Sequence, residues 1–304
     1  MRTVKKTSIG GQAVIEGVMM KGPLQSAMAV RNPQKEIVVE VSDNKGISGW
    51  YRKVPVIRGV FNFVIMLIDG YQYLMKSAKI AGWEEVEEQS EEKKKSQNRT
   101  FAAITAIASV AGVALALLLF MYLPSLLVGL LRPWIDVKIV LSLIEGVIKI
   151  IVLVAYMFFV SRLSEIHRVF EYHGAEHKSI ACYEAGDELT VTNAKAHRRF
   201  HPRCGTSFIF IALIISILVF SVLPWNIIAL RVVLKILLMP LVVGIAYEII
   251  KLAGRYDNPV TRVVSAPGMW LQRITTAEPD DSQLEVAIAS LLPVIPKDEN
   301  LDTW

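Results

Sequence analysis

A group of residue types that bind metals occupies the stretch FEYHGAEHKSIACYE, which begins at Phe170. Within it, His173, Glu176 and His177 follow the pattern H-x-x-E-H. Imidazoles four residues apart share one face of a helix, and both can bind a single Zn²⁺ at about 2 Å. In zincins of the inverted type, the glutamate of this pattern activates the bound water. The pattern therefore predicts a site for zinc or another divalent metal, with Glu176 as the catalytic base.

A second group of candidate ligands follows within a few tens of residues. His197 and His201 are again four residues apart, Cys204 comes three residues after His201, and Glu184 lies between the two histidine pairs. All five histidines of the chain fall between residues 167 and 201. Two short helices in this segment could bring both pairs of imidazoles into one pocket.

The number of protein ligands decides the role of such a site, because three ligands leave a position for water and four close the coordination sphere. The catalytic alternative uses His173 and His177 with a third ligand from Glu184, His197 or His201. The structural alternative uses a closed set, which consists of His173, His177, His201 and Cys204. Spacing alone leaves both alternatives open.

The elements that must position these residues are mostly apolar. Of the 304 residues, 53% are hydrophobic, which is typical of a polytopic membrane protein. A spanning helix needs about 20 mostly apolar residues. We therefore predict a mainly α-helical protein with four spans, approximately 102–123, 139–160, 206–224 and 227–248. The shorter apolar stretch Val56–Ile68 predicts an interfacial helix rather than a fifth span.

The distribution of basic residues predicts the orientation in the membrane. The segment 161–206 carries seven Lys and Arg residues, whereas the connection 124–137 carries one. Both termini and the segment 161–206 are therefore predicted to face the cytosol. The two cysteines, Cys182 and Cys204, then lie in a reducing compartment and are predicted to be thiols.

Composition also excludes some classes of protein. The net charge of +5 fits the basic bias of the predicted cytosolic segments, and basic residues are not interleaved with aromatics as in a nucleic-acid groove. The first residues, MRTVKKTSIGGQ, lack the apolar core of a signal peptide. The expected partners are the lipid bilayer and another membrane protein. No nucleic-acid partner is expected.

Breaks in composition divide the chain into six predicted segments. They are a glycine-rich loop and β-hairpin (1–46), an interfacial helix and charged linker (47–100), transmembrane helices 1 and 2 (101–160), a cytosolic His-rich loop (161–206), transmembrane helices 3 and 4 (207–250) and a cytosolic helical tail (251–304). In the tail, Ser282 and Glu285 are predicted to form a capping box that begins a helix.

Three charged residues in apolar surroundings are further candidates. Glu145 and Lys149 lie one turn apart inside the second predicted span, where charges usually face the bundle interior in pairs. They could pair with each other or line a polar pathway. Glu16, in a glycine-rich context, could reach the histidines as a ligand or remain at the surface.

Three motifs, GGQAVIEGVMMKGP, YHGAEHK and RFHPRCGTSF, together resemble the YqhQ family of bacterial membrane proteins. The resemblance extends from Gly10 to about Ile288. That family is commonly described as predicted metal-dependent enzymes of undefined function. The resemblance implies a bacterial inner-membrane protein with these motifs on its cytosolic face. It implies no substrate.

Two functions of different kinds fit these observations. The first is a metal-dependent hydrolase, with a peptide or amide bond as its target by analogy with H-x-x-E-H proteases. The second is an accessory or scaffold subunit of a translocation or quality-control complex, in which the His and Cys side chains stabilise a docking surface. A transporter is disfavoured, because we detect no inverted repeat.

Overall fold

The computed structural model describes residues 6–44, 49–83, 104, 106–135, 137–202, 204–256 and 258–302. The predicted charged linker, residues 84–100, lies outside this part of the chain. The chain forms two compact units, and each combines segments that are distant in sequence. Unit 1 contains Met1–Glu84, Met157–Ala212 and Val243–Trp304, and unit 2 contains Glu85–Tyr156 and Leu213–Val242.

Helices make up most of the described structure. They are α1 (Ile57–Ile80), α2 (Ala106–Gly129), α3 (Lys138–Val160), α4 (Ser164–Ala185), α5 (Val191–Ala196), α6 (Gly205–Ser221), α7 (Ile228–Arg255), α8 (Pro259–Thr275) and α9 (Asp281–Leu291). Short 3₁₀ turns occupy Trp50–Lys53, Leu292–Val294 and Glu299–Leu301.

One antiparallel sheet at the N-terminal end has the strand order β1-β2-β3-β4. Its strands are β1 (Gly10–Val14), β2 (Gly17–Lys21), β3 (Gln25–Arg31) and β4 (Ile37–Asp43). The predicted hairpin is confirmed as β3–β4. The prediction of a loop for the glycine-rich segment is wrong, because a two-residue turn with Glu16 at φ 51° pairs β1 with β2.

Helices cover both faces of this sheet in unit 1. Alternate residues of a strand point to opposite faces, so Val18 and Met20 pack on α4 and α9. Met19 and Met28 on the other face pack against α1. The result is a three-layer core that buries one side of α4, the helix that carries the H-x-x-E-H pattern.

Two segments differ in part from their predictions: the His-rich loop 161–206 and the helical tail 251–304. Most of 161–206 is helical, because α4 continues until Gly186 caps it in the left-handed conformation, at φ 71°. The C-terminal segment is helical as predicted, but α9 is part of the core of unit 1. Its capping box is formed by Asp280 and Gln283 rather than by the predicted Ser282 and Glu285, so the helix begins earlier.

Within the described part of the chain, three helices are long and apolar enough to cross a membrane. They are α2, α3 and the part Ile228–Ala253 of α7. Protein covers little of α2, and Ile107 is 70% exposed. The third predicted span, 206–224, corresponds to α6, which is apolar but has only 17 residues, somewhat fewer than the roughly 20 that a span needs.

The core of unit 2 contains a group of buried charges. Glu145 and Lys149 form the predicted pair, with 3.4 Å between Nζ and Oε1. Two further cations from α7 join them, since Arg231 Nη2 lies 2.9 Å from Glu145 Oε2 and Lys235 Nζ pairs with Oε1. Ser125 Oγ accepts a hydrogen bond from Lys235 Nζ. One carboxylate therefore contacts three cations, and all four residues are buried.

Replacement of Glu145 by Gln should strongly destabilise the protein, because three buried cations would lose the carboxylate that they share. Breaking a buried pair typically costs about 3–5 kcal/mol. The matched control is Glu165→Gln on the exposed start of α4. Thermal unfolding of the detergent-purified variants checks this expectation, and equal melting temperatures for both would contradict it.

Candidate metal centre

Helix α4 presents the predicted site residues on one face, because His173, Glu176 and His177 lie three and four residues apart. The chain after α8 packs closely against this helix. A Cβ atom at Gly174 would collide with the carbonyl oxygen of Ala277, so the absence of a side chain at this glycine permits the close packing. The Ala277 N–H donates to the Phe170 carbonyl at 2.8 Å and holds the contact.

Both imidazoles are oriented by backbone carbonyls. His173 Nδ1 lies 2.8 Å from the oxygen of Thr275, and His177 Nδ1 lies 2.6 Å from the oxygen of Arg199. Since a carbonyl only accepts, each Nδ1 carries the proton and each Nε2 keeps a free lone pair. This is the arrangement that orients histidine ligands of metals in proteins. The two ring centroids are 4.4 Å apart.

Cys204 completes a group of three ligand atoms. Its Sγ lies 3.3 Å from His173 Nε2, and the ligand atoms of His173, His177 and Cys204 lie within 4.8 Å of one another. The side chain of Gln272 in α8 holds the preceding turn, because it accepts from the His201 N–H and donates to the His201 carbonyl, both at 2.8 Å. Cys204 is thus positioned by a buried amide on another helix.

Glu176 lies beside this group in a buried position. Its carboxylate accepts a hydrogen bond from the backbone N–H of Gly11 in β1. Its Oε2 atom is buried and has no hydrogen-bond partner in the described part of the chain. Burial raises the pKa of this carboxyl, and the electrostatic influence of the nearby His173 and His201 side chains acts in the opposite direction.

Burial also lowers the pKa of His177. A buried imidazole avoids the cost of a charge that water does not solvate. The neutral form is the one that binds a metal, because the ligand nitrogen must be deprotonated. The environment of His177 therefore favours the protonation state that a ligand needs.

His201 and Glu184 lie next to the group and pair with each other, with 3.2 Å between His201 Nε2 and Glu184 Oε2. The His201 ring is 5.7 Å from the His177 ring. His197 Nε2 instead lies 3.0 Å from Asp187 Oδ2. The two histidines of the second pair therefore have different partners. His197 follows the last residue of α5, and its ring points toward the residues just after α4.

Glu16 makes its contacts with α4 rather than with the three-ligand group. Its Oε2 accepts from Arg168 Nη2 at 2.7 Å and from the Tyr172 hydroxyl at 3.2 Å. The ion pair raises the pKa of Arg168. Glu16 therefore anchors the β1–β2 turn to the helix that carries the histidines.

Sequence reasoning missed two residues that support the site. Gln272 is fully buried and fixes the turn before Cys204, and Thr275 supplies the carbonyl that orients His173. The only sequence signal for Gln272 is a polar residue within the apolar pattern MWLQRIT. Thr275 acts through its backbone, so its residue type carries no signal.

The fold and the site define a helical, membrane-associated protein with a buried His/Cys group. The chain belongs to the family described as "Protein of unknown function (DUF1385)", which matches residues 54–297. It is 35% identical over 287 residues to "Uncharacterized protein YqhQ" of Bacillus subtilis (strain 168), and the alignment covers 92% of this chain and 90% of the relative. No solved structure matches the chain. The resemblance inferred from the three motifs is thus confirmed.

Two adjacent glycines of β1 provide a test of how the sheet contacts the site. A Cβ atom at Gly11 would collide with the Met19 carbonyl and lie 3.2 Å from Glu176 Cδ, whereas one at Gly10 meets nothing within 4 Å. Gly11→Ala should therefore destabilise the protein by about 1–3 kcal/mol, the usual cost of overpacking. Gly10→Ala should be nearly neutral. Thermal unfolding of both variants is the measurement, and a similar loss in both would contradict the described contact.

Proposed function

We propose that this protein is a membrane-bound, metal-dependent hydrolase. One observation carries the proposal: the ligand atoms of His173, His177 and Cys204 lie within 4.8 Å of one another. Glu176 follows His173 by three residues on the same helix, and its buried Oε2 has no hydrogen-bond partner in the described part of the chain. Three ligands with an adjacent base are what a catalytic metal site requires.

The donor set fits zinc better than a hard cation. Imidazole and thiolate ligands suit Zn²⁺, whereas Mg²⁺ and Ca²⁺ prefer oxygen ligands. The hydrogen bonds from both Nδ1 atoms to backbone carbonyls support the assignment, since such bonds fix the ligand orientation. When bound, the ion supplies a Lewis acid that polarises the substrate.

The residues of the chain have separate tasks in this proposal. Glu176 takes the proton of the attacking water through its unpaired Oε2 and later passes it to the leaving group. The N–H of Gly11 holds the Glu176 carboxylate in place. Glu184 keeps His201 beside the centre, where its ring can contact the substrate.

The topology that we propose keeps this centre at the cytosolic surface of the bacterial inner membrane. The excess of Lys and Arg in 161–206 supports this orientation. With α6 as a fourth span and α1 as an interfacial helix, both termini lie in the cytosol. The eight large apolar residues that α1 exposes support its contact with lipid; they are Ile57, Phe61, Val64, Met66, Leu67, Ile68, Tyr71 and Leu74.

A structural role for the same centre is the second candidate. It is favoured by the position of His201, whose ring is 5.7 Å from that of His177. If His201 left Glu184 and became a fourth ligand, the site would be closed. The protein would then be an accessory or scaffold subunit of a membrane complex, and the metal would stabilise unit 1.

Metal content tests the existence of the centre. Full-length protein, purified in detergent and supplied with zinc, should contain about one ion per chain. His177→Ala and Cys204→Ser should lose it, and Glu176→Gln should keep it. His167→Ala and His197→Ala are matched controls, because these rings contact Glu171 and Asp187. Folded wild-type protein without zinc, or equal loss from the controls, would refute the site.

Cobalt substitution distinguishes the catalytic from the structural role. The visible spectrum of the Co²⁺ protein should change when an exogenous thiol is added, because three protein ligands leave one position open. His201→Ala should give the same spectrum as wild type. A spectrum that responds to the thiol only in His201→Ala would show that His201 closes the site, and the hydrolase proposal would then fail.

A further inference from the structure

A cavity of about 380 Å³ lies in unit 1, next to the candidate metal centre. Ligand pockets in proteins typically have volumes of about 300–1,000 Å³. Helices α1, α6, α7 and α8 each contribute to its wall, and Cys204 is one of its lining residues. The cavity therefore reaches a side chain that is also a candidate metal ligand.

The cavity runs from the protein surface to the buried site. Among its lining residues, Met66 is 54% exposed and Tyr256 is 52% exposed, whereas Cys204 is only 8% exposed. The cavity thus has both exposed and buried lining residues, which suits an elongated molecule with one end at Cys204.

Its walls are mainly apolar, and two of their polar side chains pair with each other. Phe63, Phe208 and Ile250 are among the apolar lining residues. The Asn62 amide donates to the Tyr247 hydroxyl at 2.8 Å. A peptide backbone in such a cavity would leave N–H and C=O groups without partners, which is costly. A hydrocarbon chain has no such groups.

The location of the cavity also indicates a lipid. Tyr247, Ile250 and Ala253 of its wall belong to the last turns of a candidate span. Phe208 belongs to the apolar helix α6. The outer face of α8 exposes Val260, Val263 and Trp270, an arrangement that is typical of interfacial helices. The cavity is therefore lined by elements that would lie at the level of the membrane.

We propose that this cavity binds the acyl chain of a membrane lipid and directs its carbonyl carbon toward the centre at Cys204. The chemical step in this proposal rests on the hydrolase function proposed above. Water adds to the acyl carbonyl carbon, and the bond from this carbon to the lipid oxygen or nitrogen breaks. The products are a fatty acid and an alcohol or amine, and Glu176 carries the proton from the water to that leaving group.

Photo-crosslinking tests the binding of the chain. Full-length protein in phospholipid nanodiscs that contain a phospholipid with a diazirine in its acyl chain is irradiated, and the labelled peptides are mapped by mass spectrometry. Labelling is expected at Phe208 and Met269 in the cavity, in addition to the lipid-exposed helix α2.

A matched pair of variants makes the test specific. Ala253→Phe places a ring in the cavity, and labelling of the cavity should fall about tenfold or more because the volume is filled. Ala229→Phe lies on an exposed part of the same helix and should label like wild type. Labelling of α2 should be unchanged in both.

The outcomes separate this inference from the proposed function. If zinc is bound but the cavity is not labelled in wild type, the acyl-chain inference is refuted and the hydrolase proposal stands. If the cavity is labelled but zinc is absent, the hydrolase fails and the cavity remains a lipid-binding site. An apolar peptide that abolishes the labelling of the cavity but not of α2 would overturn the inference in favour of a peptide.

Discussion

The hydrogen bonds from His173 and His177 to two backbone carbonyls are the interaction on which the candidate site depends. Each bond fixes both the tautomer and the direction of a ring, so that the two Nε2 atoms face Cys204. The carbonyls come from Thr275 and Arg199, which are far apart in sequence. The site therefore forms only when three segments of unit 1 have packed together. The stability of that packing limits how precisely the ligand atoms are positioned.

Buried polar groups generally need hydrogen-bonding or ionic partners. The buried carboxylates of the two units differ in how far they have such partners. In unit 2 the carboxylate of Glu145 is fully used by Lys149, Arg231 and Lys235. In unit 1 Glu176 is also buried, but one of its oxygens has no hydrogen-bond partner among the residues that the structure describes. A carboxylate that is surrounded by cations is suited to holding helices together. One with an oxygen still available, on the helix that carries two of the ligand atoms, is suited to chemistry, which is why our functional proposal rests on unit 1.

Our two proposals are linked by a cavity that has Cys204 in its lining. Its apolar wall is built by helices that also expose apolar side chains, among them Met66, Ile209 and Val263, so in our proposal a lipid enters it from the bilayer. This arrangement would explain why a site with the ligands of a soluble enzyme is attached to apolar helices long enough to cross a membrane. A hydrolase that acts on acyl chains would gain access to its substrate from the bilayer itself.

The sequence alone determined the local features, because they depend only on the geometry of a single helix or hairpin. The H-x-x-E-H spacing put His173 and His177 on one face, apolar runs located three long helices, and the β3–β4 hairpin followed from its turn residues. The tertiary structure decided which distant residues join them. It brought Cys204 to the histidines and left His197 with Asp187. Spacing in sequence cannot fix such distances, since they arise from the packing of helices against the sheet and against one another.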